Sequence, residues 1–430
     1  MSFGECRYIR RKKRMKKVLT ALATAAVLAA GCMKWNDDGF HGRRDGQEGR
    51  DDGSKDTLAP PPVPVFDTVL YISAVEYPEG YDWVRDTASG LVEARIVLYR
   101  DSVKLLEVPT GFSHDVSPSP DMHRIVDGHL YTYFPNDSQT VIKRDGADII
   151  RYDVREVIKG FMVEDGHVHT LGQNREVGGG IAYRIDGEEL FLRRNATVIG
   201  EPDDGGWPTG ALYKDREAVA FAYKIGSIYY IYHDGQSEEI RFHESPSDLY
   251  DIRRVGGKTY SLARFKSYAY SPAMICDFEG PVYFHEGQMK TAGCGIIPDG
   301  SDFSIKHSSP SGSGASWYLW SNGFNKSVQA GFIPYDFFAS AGCVDAVGTR
   351  NGSICFTTGG MKKYISVEGN YRFTSSRCGV SLDGKLYALL TGMDDYPNLV
   401  IADGRVRSAG VNGVLTGLEV RIEERSQSSQ

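Results

Sequence analysis

From Phe66 onward, apolar and polar positions alternate in short runs cut by tight turns. In the clearest stretch Ile125-Val126 leads to Asp127-Gly128, and His129 to Tyr133 follows. After Pro135 to Gln139 come Val141 to Arg144, then Asp145-Gly146, then Ala147 to Tyr152. Val380 to Leu382, Asp383-Gly384, Lys385 to Leu389, Leu399 to Ala402, Asp403-Gly404 and Arg405 to Ser408 repeat that order. Alternation with period two puts successive side chains on opposite faces, so each run predicts a half-buried strand. Asp-Gly between such runs predicts a hairpin, because both central positions of its turn have φ > 0.

Two series of turns run through the chain. One falls at Asp101-Ser102, Asp145, Asp186, Asp234, Glu286-Gly287, Asn322-Gly323, Glu368-Gly369 and Asp403. The other falls at Asp127, Asp165, Asp215, Gly256, Asp299, Asn351 and Asp383. Both recur about every 43 residues, and a repeat of roughly 40–50 residues with four strands is a propeller blade. The expected fold is an all-β propeller of four-stranded blades. Seven units are complete, at 122–152, 160–199, 210–242, 252–291, 294–330, 343–374 and 378–408. Segment 67–108 supplies three strands without a first one, and Val411 to Ile422 is a spare strand at the other end. An eighth blade completed by that strand would remove two open edges; seven blades with an appended hairpin is the alternative. No WD or kelch signature accompanies the repeat.

Antiparallel strands place the first and third turns of a blade on one face and everything else on the other. The short Asp-Gly turns therefore share a face. The long segments are expected opposite: Glu76–Gly90, Pro109–Pro120, Leu171–Gly180, Gly200–Pro208, Phe242–Tyr250, Lys266–Gly280, Ser308–Ala315, Gly331–Gly342 and Gly392–Asn398. Variable loops on a repetitive scaffold are where binding sits. These carry Tyr77, Tyr81, Phe112, Tyr268, Tyr270, Phe337 and Phe338. The candidate ligand-binding residues are Trp83, Asp203, Asp204, Trp207, Tyr335, Asp394, Asp395 and Tyr396. Flat rings beside carboxylates suit sugar rings or a protein partner. Trp317 and Trp320 lie on a strand and are expected in the core.

The N-terminal part has another character. Eight basic residues between Arg7 and Lys17 precede an apolar run from Val18 to Ala30, and Glu5 is the lone acid. That reads as a secretory signal over 1–31, with Met15 an alternative start. Leu28 followed by Ala29-Ala30-Gly31-Cys32 resembles the lipobox of bacterial lipoproteins. The resemblance implies cleavage before Cys32, acylation of that cysteine and an outer-membrane anchor. An ordinary secreted protein with a free Cys32 is the alternative. Residues 32–65 read as an acidic tether ending in Ala59-Pro60-Pro61-Pro62-Val63-Pro64, a polyproline-II stretch. Lys34 with Asp37-Asp38 resembles the charged tag of lipoproteins displayed on the cell surface; a periplasmic orientation is the other reading. The propeller then spans 66–424, and 425–430 is a polar tail.

Over the whole chain 49 basic residues face 56 acidic ones; without 1–31 the balance is 41 to 55, a net charge of −14. Such a body lacks the basic footprint that nucleic acid demands. It is also repelled by anionic lipid, so the acyl chains alone would hold it to the membrane. His167-Val168-His169 puts two imidazoles on one strand face, with His129 equivalent to His167 one unit earlier. No ligand is fixed beside them, and solvated histidines are expected rather than a zinc site. Asp203-Asp204 and Asp394-Asp395 lie in oxygen-rich loops of the kind that take Ca²⁺, but without EF-hand spacing, so no cofactor is expected. Beyond Cys6 and Cys32 the cysteines are Cys276, Cys294, Cys343, Cys355 and Cys378; Cys294, Cys343 and Cys378 read as small first-strand residues, and Cys343–Cys355 is the one disulfide considered. No nucleophile elbow, P-loop, Rossmann fingerprint or Asp-box is present.

These features predict a lipid-anchored envelope protein whose loop face binds a glycan or an envelope protein, with no catalysis assigned. One alternative is a carbohydrate-active enzyme using Asp203 or Asp204 with Asp394 or Asp395. The other is a structural subunit of an envelope complex.

Overall fold

The computed structural model describes residues 66–81, 92–112, 123–135, 138–174, 180–199, 211–242, 246, 248–264, 272–276, 281–282, 295–299, 302–311, 314–321 and 324–424. The segments expected to be a signal and a tether, with Cys32, lie outside these residues. Among them the chain forms eight antiparallel sheets. Sheet 2 shows the pattern: His123–Val126, His129–Pro135, Thr140–Arg144 and Ala147–Tyr152, each strand paired to the one before. Sheet 3 (Glu156–Glu164 to Glu188–Arg194), sheet 5 (Asp248–Val255 to Pro281–Val282) and sheet 6 (Gly295–Asp299 to Phe324–Ser327) follow it.

Sheet 1 draws on both ends of the described chain. Phe66–Glu76, Val92–Arg100 and Val103–Phe112 are joined by Val414–Glu424, which pairs along Phe66–Glu76 from Phe66↔Glu424 to Val75↔Val414. Buried Ser73 and Thr416 hydroxyls meet at 3.2 Å within this seam.

Two sheets have a broken leading strand. In sheet 4 both Ala196–Ile199 and Tyr213–Asp215 pair with Ala218–Ile225. Gly200–Pro208, expected between units, lies outside the described residues, and because Ala196–Ile199 belongs to sheet 4 the unit expected to end at residue 199 runs one strand too far. In sheet 8 Tyr371–Arg372 and Gly379–Leu382 both pair with Lys385–Gly392.

Sheet 7 corrects the expected frame by one strand. Its leading strand is Phe332–Ser340, followed by Cys343–Arg350, Ser353–Thr358 and Lys363–Ser366. Asn351-Gly352 is therefore its second turn rather than its first, and Glu368-Gly369 lies beyond its last strand. Gly331–Gly342, expected as a loop, is mostly strand. Phe337 and Phe338, expected on that loop, are buried. Ser308–Ala315 and Pro109–Pro120 are likewise partly strand.

Side chains fill the gaps between sheets one junction at a time. Tyr133, Ile142, Ile158 and Val168 pack sheet 2 on sheet 3. Phe191, Phe221, Tyr223 and Tyr232 pack sheet 3 on sheet 4. Further clusters join sheets 4 and 5, 5 and 6, 6 and 7, and 7 and 8. Leu389 and Val400 of sheet 8 pack with Leu70, Ile72 and Leu415 of sheet 1, and Ile96 of sheet 1 packs with Leu130 of sheet 2. Burial of this kind contributes roughly 1.5–3 kcal/mol per large side chain.

Polar joints accompany the packing. The Glu419 carboxylate of sheet 1 accepts from the Asp127 and Gly128 N–H groups in the first turn of sheet 2. Asp215 accepts from Gly257, Asp299 from Gly342 and Ser340 Oγ from Gly384, each partner lying one sheet further on. The same device thus recurs at four of the junctions among the described residues.

Candidate functional site

The short turns hold their shape through left-handed aspartates: Asp101, Asp127, Asp145, Asp165, Asp186, Asp234, Asp383 and Asp403 all have φ between 47° and 54°. Three also tie back to the strand they face. Asp101, Asp145 and Asp186 accept from the N–H of Leu70, Leu130 and Val168 at 3.1, 2.9 and 2.8 Å. Turns fixed in this way serve structure. The longer connection between the second and third strands of sheet 8, residues 393–398, lies on the opposite face.

On that face, sheets 7 and 8 bring together two of the candidates, Tyr335 and Tyr396. The register of Phe332–Ser340 jumps between Pro334↔Gly348 and Asp336↔Val347, leaving Tyr335 as the extra residue of a β-bulge. A bulge re-aims a side chain, and Tyr335 is 41% exposed. Gly348 permits the kink: a Cβ there would stand 2.2 Å from the Ile333 carbonyl oxygen. The Tyr335 ring lies parallel to Phe373, 3° apart at 6.4 Å, and Phe373 in turn meets buried Phe338 edge-on at 6.2 Å. Two residues before Phe373, the Tyr371 ring sits 5.5 Å from Tyr396, which is 47% exposed. Tyr371-Arg372-Phe373 thus links the two exposed tyrosines, with half-buried Tyr371 and Phe373 as the base.

The loop carrying Tyr396 is held rigidly. Asn398 Oδ1 accepts from Gly392 N, and its amide donates to the Val411 and Gly413 carbonyls at 3.0 and 2.8 Å. Met393 N donates to Asn370 O, and Tyr396 N to Met393 O. Asp394, at φ 56°, accepts from the Asn370 side chain at 3.0 Å. Gly369 lets the rings approach: a Cβ there would stand 2.6 Å from Tyr371 and 2.8 Å from Tyr396. Glu368, Asn370, Asp394 and Asp395 are exposed around the pair. The result is a preorganised aromatic floor edged by acceptors, which lowers the entropy cost of binding.

Trp83, Asp203, Asp204, Trp207, Tyr268 and Tyr270 lie outside the described residues, as does the structure around Cys32. The carboxylate pair considered for catalysis is therefore described on one side alone. Tyr77 and Tyr81 stack on each other at 5.0 Å, and burial pushes the Tyr77 phenol up. Tyr371 and Phe373 were not among the candidates. Their signal was faint, because a two-residue strand shows no alternation.

The side chains of His129 and His167 are exposed, whereas His169 is buried. His129 Nδ1 meets Asp145 Oδ2 and His167 Nδ1 meets Asp186 Oδ2, both at 2.6 Å, so each has a fixed carboxylate neighbour. Hydrogen bonding to Asp186, then its charge, raises the His167 pKa. His169 Nδ1 meets Tyr183 Oη at 2.7 Å, and burial lowers its pKa. Among the described residues no three metal-ligating side chains gather.

Cys343, Cys355 and Cys378 are free thiols. Cys343 pairs with Ser340 and Cys355 with Gly348, so the considered disulfide partners sit at different levels of the sheet. Cys343 also opens a second strand rather than a first. Cys378 ends a 3₁₀ turn, Ser376–Cys378, and burial pushes its thiol up to about 12. Trp317 is half-buried against the junction of sheets 6 and 7.

No family model and no curated protein matches the chain. Among solved structures it is similar to the β-propeller domain of the Trilobed protease from Pyrococcus furiosus: 12% identity, 59% of this chain and 82% of that one, TM-score 0.37. It is similar to BamB from Moraxella catarrhalis at 9% identity over 72% and 97% of the two chains, TM-score 0.41. The likeness to an acylaminoacyl peptidase from Pyrococcus horikoshii has 11% identity and TM-score 0.41, and spans 77% of this chain but 55% of that one.

Proposed function

We infer that the protein is a binding module: a closed eight-bladed β-propeller, lipid-anchored at Cys32 on the bacterial outer membrane, that holds a ligand on its loop face. One observation carries the binding assignment. The row Tyr335, Phe373, Tyr371 and Tyr396 presents two exposed rings on a rigid base beside exposed carboxylates. Apolar area with a few fixed polar groups is what a ligand site needs. The closed ring is supported by the pairing of Val414–Glu424 with Phe66–Glu76 and by the packing of sheet 8 on sheet 1. The anchor rests on the lipobox alone, and Trp83, Asp203, Asp204 and Trp207 join the site on sequence grounds alone.

The test has two arms. Cys32→Ala should move the protein from the membrane to the soluble fraction; retention on the membrane contradicts the anchor. The soluble full-length variant, incubated with solubilised envelope, should retain material that the Tyr335→Ala/Tyr396→Ala variant does not. Equal retention by a folded double variant contradicts the site.

A further inference from the structure

We propose that the row between sheets 7 and 8 is a carbohydrate site with two subsites, built for neutral or amino sugars and closed to acidic ones. This deepens the binding assignment above and rests on it. Tyr335 and Tyr396 are the exposed ends of the row and belong to different sheets, tied by the three residues Tyr371-Arg372-Phe373. Each offers a flat face beside a second ring that fixes it. A pyranose has one face of C–H groups, which stacks on such a ring, and a rim of hydroxyls that must keep their hydrogen bonds. A protein side chain offers that combination seldom; a sugar offers it in every residue. Two platforms at the ends of one row fit an oligosaccharide better than a single sugar.

The polar groups fix the class further. Glu368, Asp394 and Asp395 are exposed beside the rings, and carboxylates accept hydrogen bonds from hydroxyls and pair with ammonium groups. One Asp394 oxygen is held by Asn370, which sets the carboxylate's direction. Arg372 follows Tyr371 on the two-residue strand Tyr371–Arg372, so strand alternation places it on the face opposite Tyr371. The negative rim repels uronic and sialic acids. The fixed loop and the bulge preorganise both platforms, so little ordering cost falls on binding.

The experiment is a glycan array, followed by calorimetry on hits, with the full-length Cys32→Ala protein. Neutral or amino-sugar oligosaccharides should bind, and longer ones more tightly than monosaccharides. Tyr335→Ala and Tyr396→Ala should each weaken binding about tenfold or more, while Tyr335→Phe and Tyr396→Phe keep most of it. Asp394→Asn/Asp395→Asn should let acidic glycans bind. Preference for acidic glycans in the unmodified protein overturns the charge assignment. Glycan binding that survives both Tyr→Ala changes in folded protein overturns the site. A silent array, with envelope protein captured by the parent and lost in the Tyr variants, overturns the sugar class but leaves the binding face standing. Loss of capture and of glycan binding together, in the parent itself, removes both.

Discussion

At the scale of residues, aspartate does most of the specifying. It tolerates the left-handed turn position, and its carboxylate then reaches the N–H of a facing strand. Both roles follow from one side chain, which is why the turns could be read directly from Asp-Gly pairs. The histidine partners could not be read this way. His167 and Asp186 lie 19 residues apart in sequence, and strand register alone brings them to 2.6 Å. His167 is exposed and its pKa is raised by the Asp186 hydrogen bond, while the same bond is the first cause of the lowered Asp186 pKa. The pair is therefore fully formed between the two ionisations. It weakens above the raised histidine pKa, and again as pH falls through the depressed aspartate pKa. An NMR titration should place the His167 midpoint above the usual 6.5, and Asp186→Asn should bring it back. An unchanged midpoint in the variant would assign the shift elsewhere. Gly369 is the other decisive residue. Gly369→Ala would force φ 122° on an L residue and push a methyl into Tyr371 and Tyr396. A stability loss of about 1–3 kcal/mol is expected, with weaker ligand binding, both measurable by denaturant titration and calorimetry.

Strands show where pattern reading succeeds and where it slips. Sheet 2 was legible because both of its Asp-Gly turns flank clean alternation. Sheet 7 departs from the sequence frame because its first turn is Ala341-Gly342, with no Asx residue, while Asn351-Gly352 looks like a first turn and is the second. Its leading strand has the sequence pattern of a loop for a physical reason. The bulge at Tyr335 shifts the parity, so Pro334, Phe337 and Phe338 are all buried and the period-two signal fails. The feature that hid the strand is the one that exposes the candidate binding residue. The leading strand of sheet 2 carries a different device. His123, fully buried, has Nε2 2.7 Å from Thr416 Oγ1, whose hydroxyl donates to the Ser73 carbonyl. The imidazole therefore donates through Nε2, and Nδ1 faces no partner among the described residues. Burial, with a smaller effect from Arg124, pushes its pKa down to about 3. In the unfolded chain it would take up a proton near pH 6.5. Its contribution to stability is complete above that value and is lost as pH falls toward 3. Urea midpoints should fall between pH 7 and pH 4, and His123→Gln should flatten that part of the profile. An equally steep acid limb in the variant would exclude His123 as its cause.

For the molecule as a whole, the repeat and the spare terminal strand were legible in the sequence because they are local patterns of fixed length. The side-chain row of the candidate site was not, because it is made where two sheets meet. Charge belongs to this scale too. Without residues 1–31 the net charge would be −14, which repels anionic lipid, so the proposed anchor would have to supply the attachment. The central claim is that the last strand joins the first sheet and closes the ring, which fixes sheet 8 and with it the platform. Hydrogen exchange on the intact protein, read by mass spectrometry, tests this most directly. Closure predicts that Val414–Glu424 and Phe66–Glu76 exchange together, as slowly as the middle strands of sheets 2 and 8. Rapid exchange of Val414–Glu424 while those middle strands stay protected would contradict it.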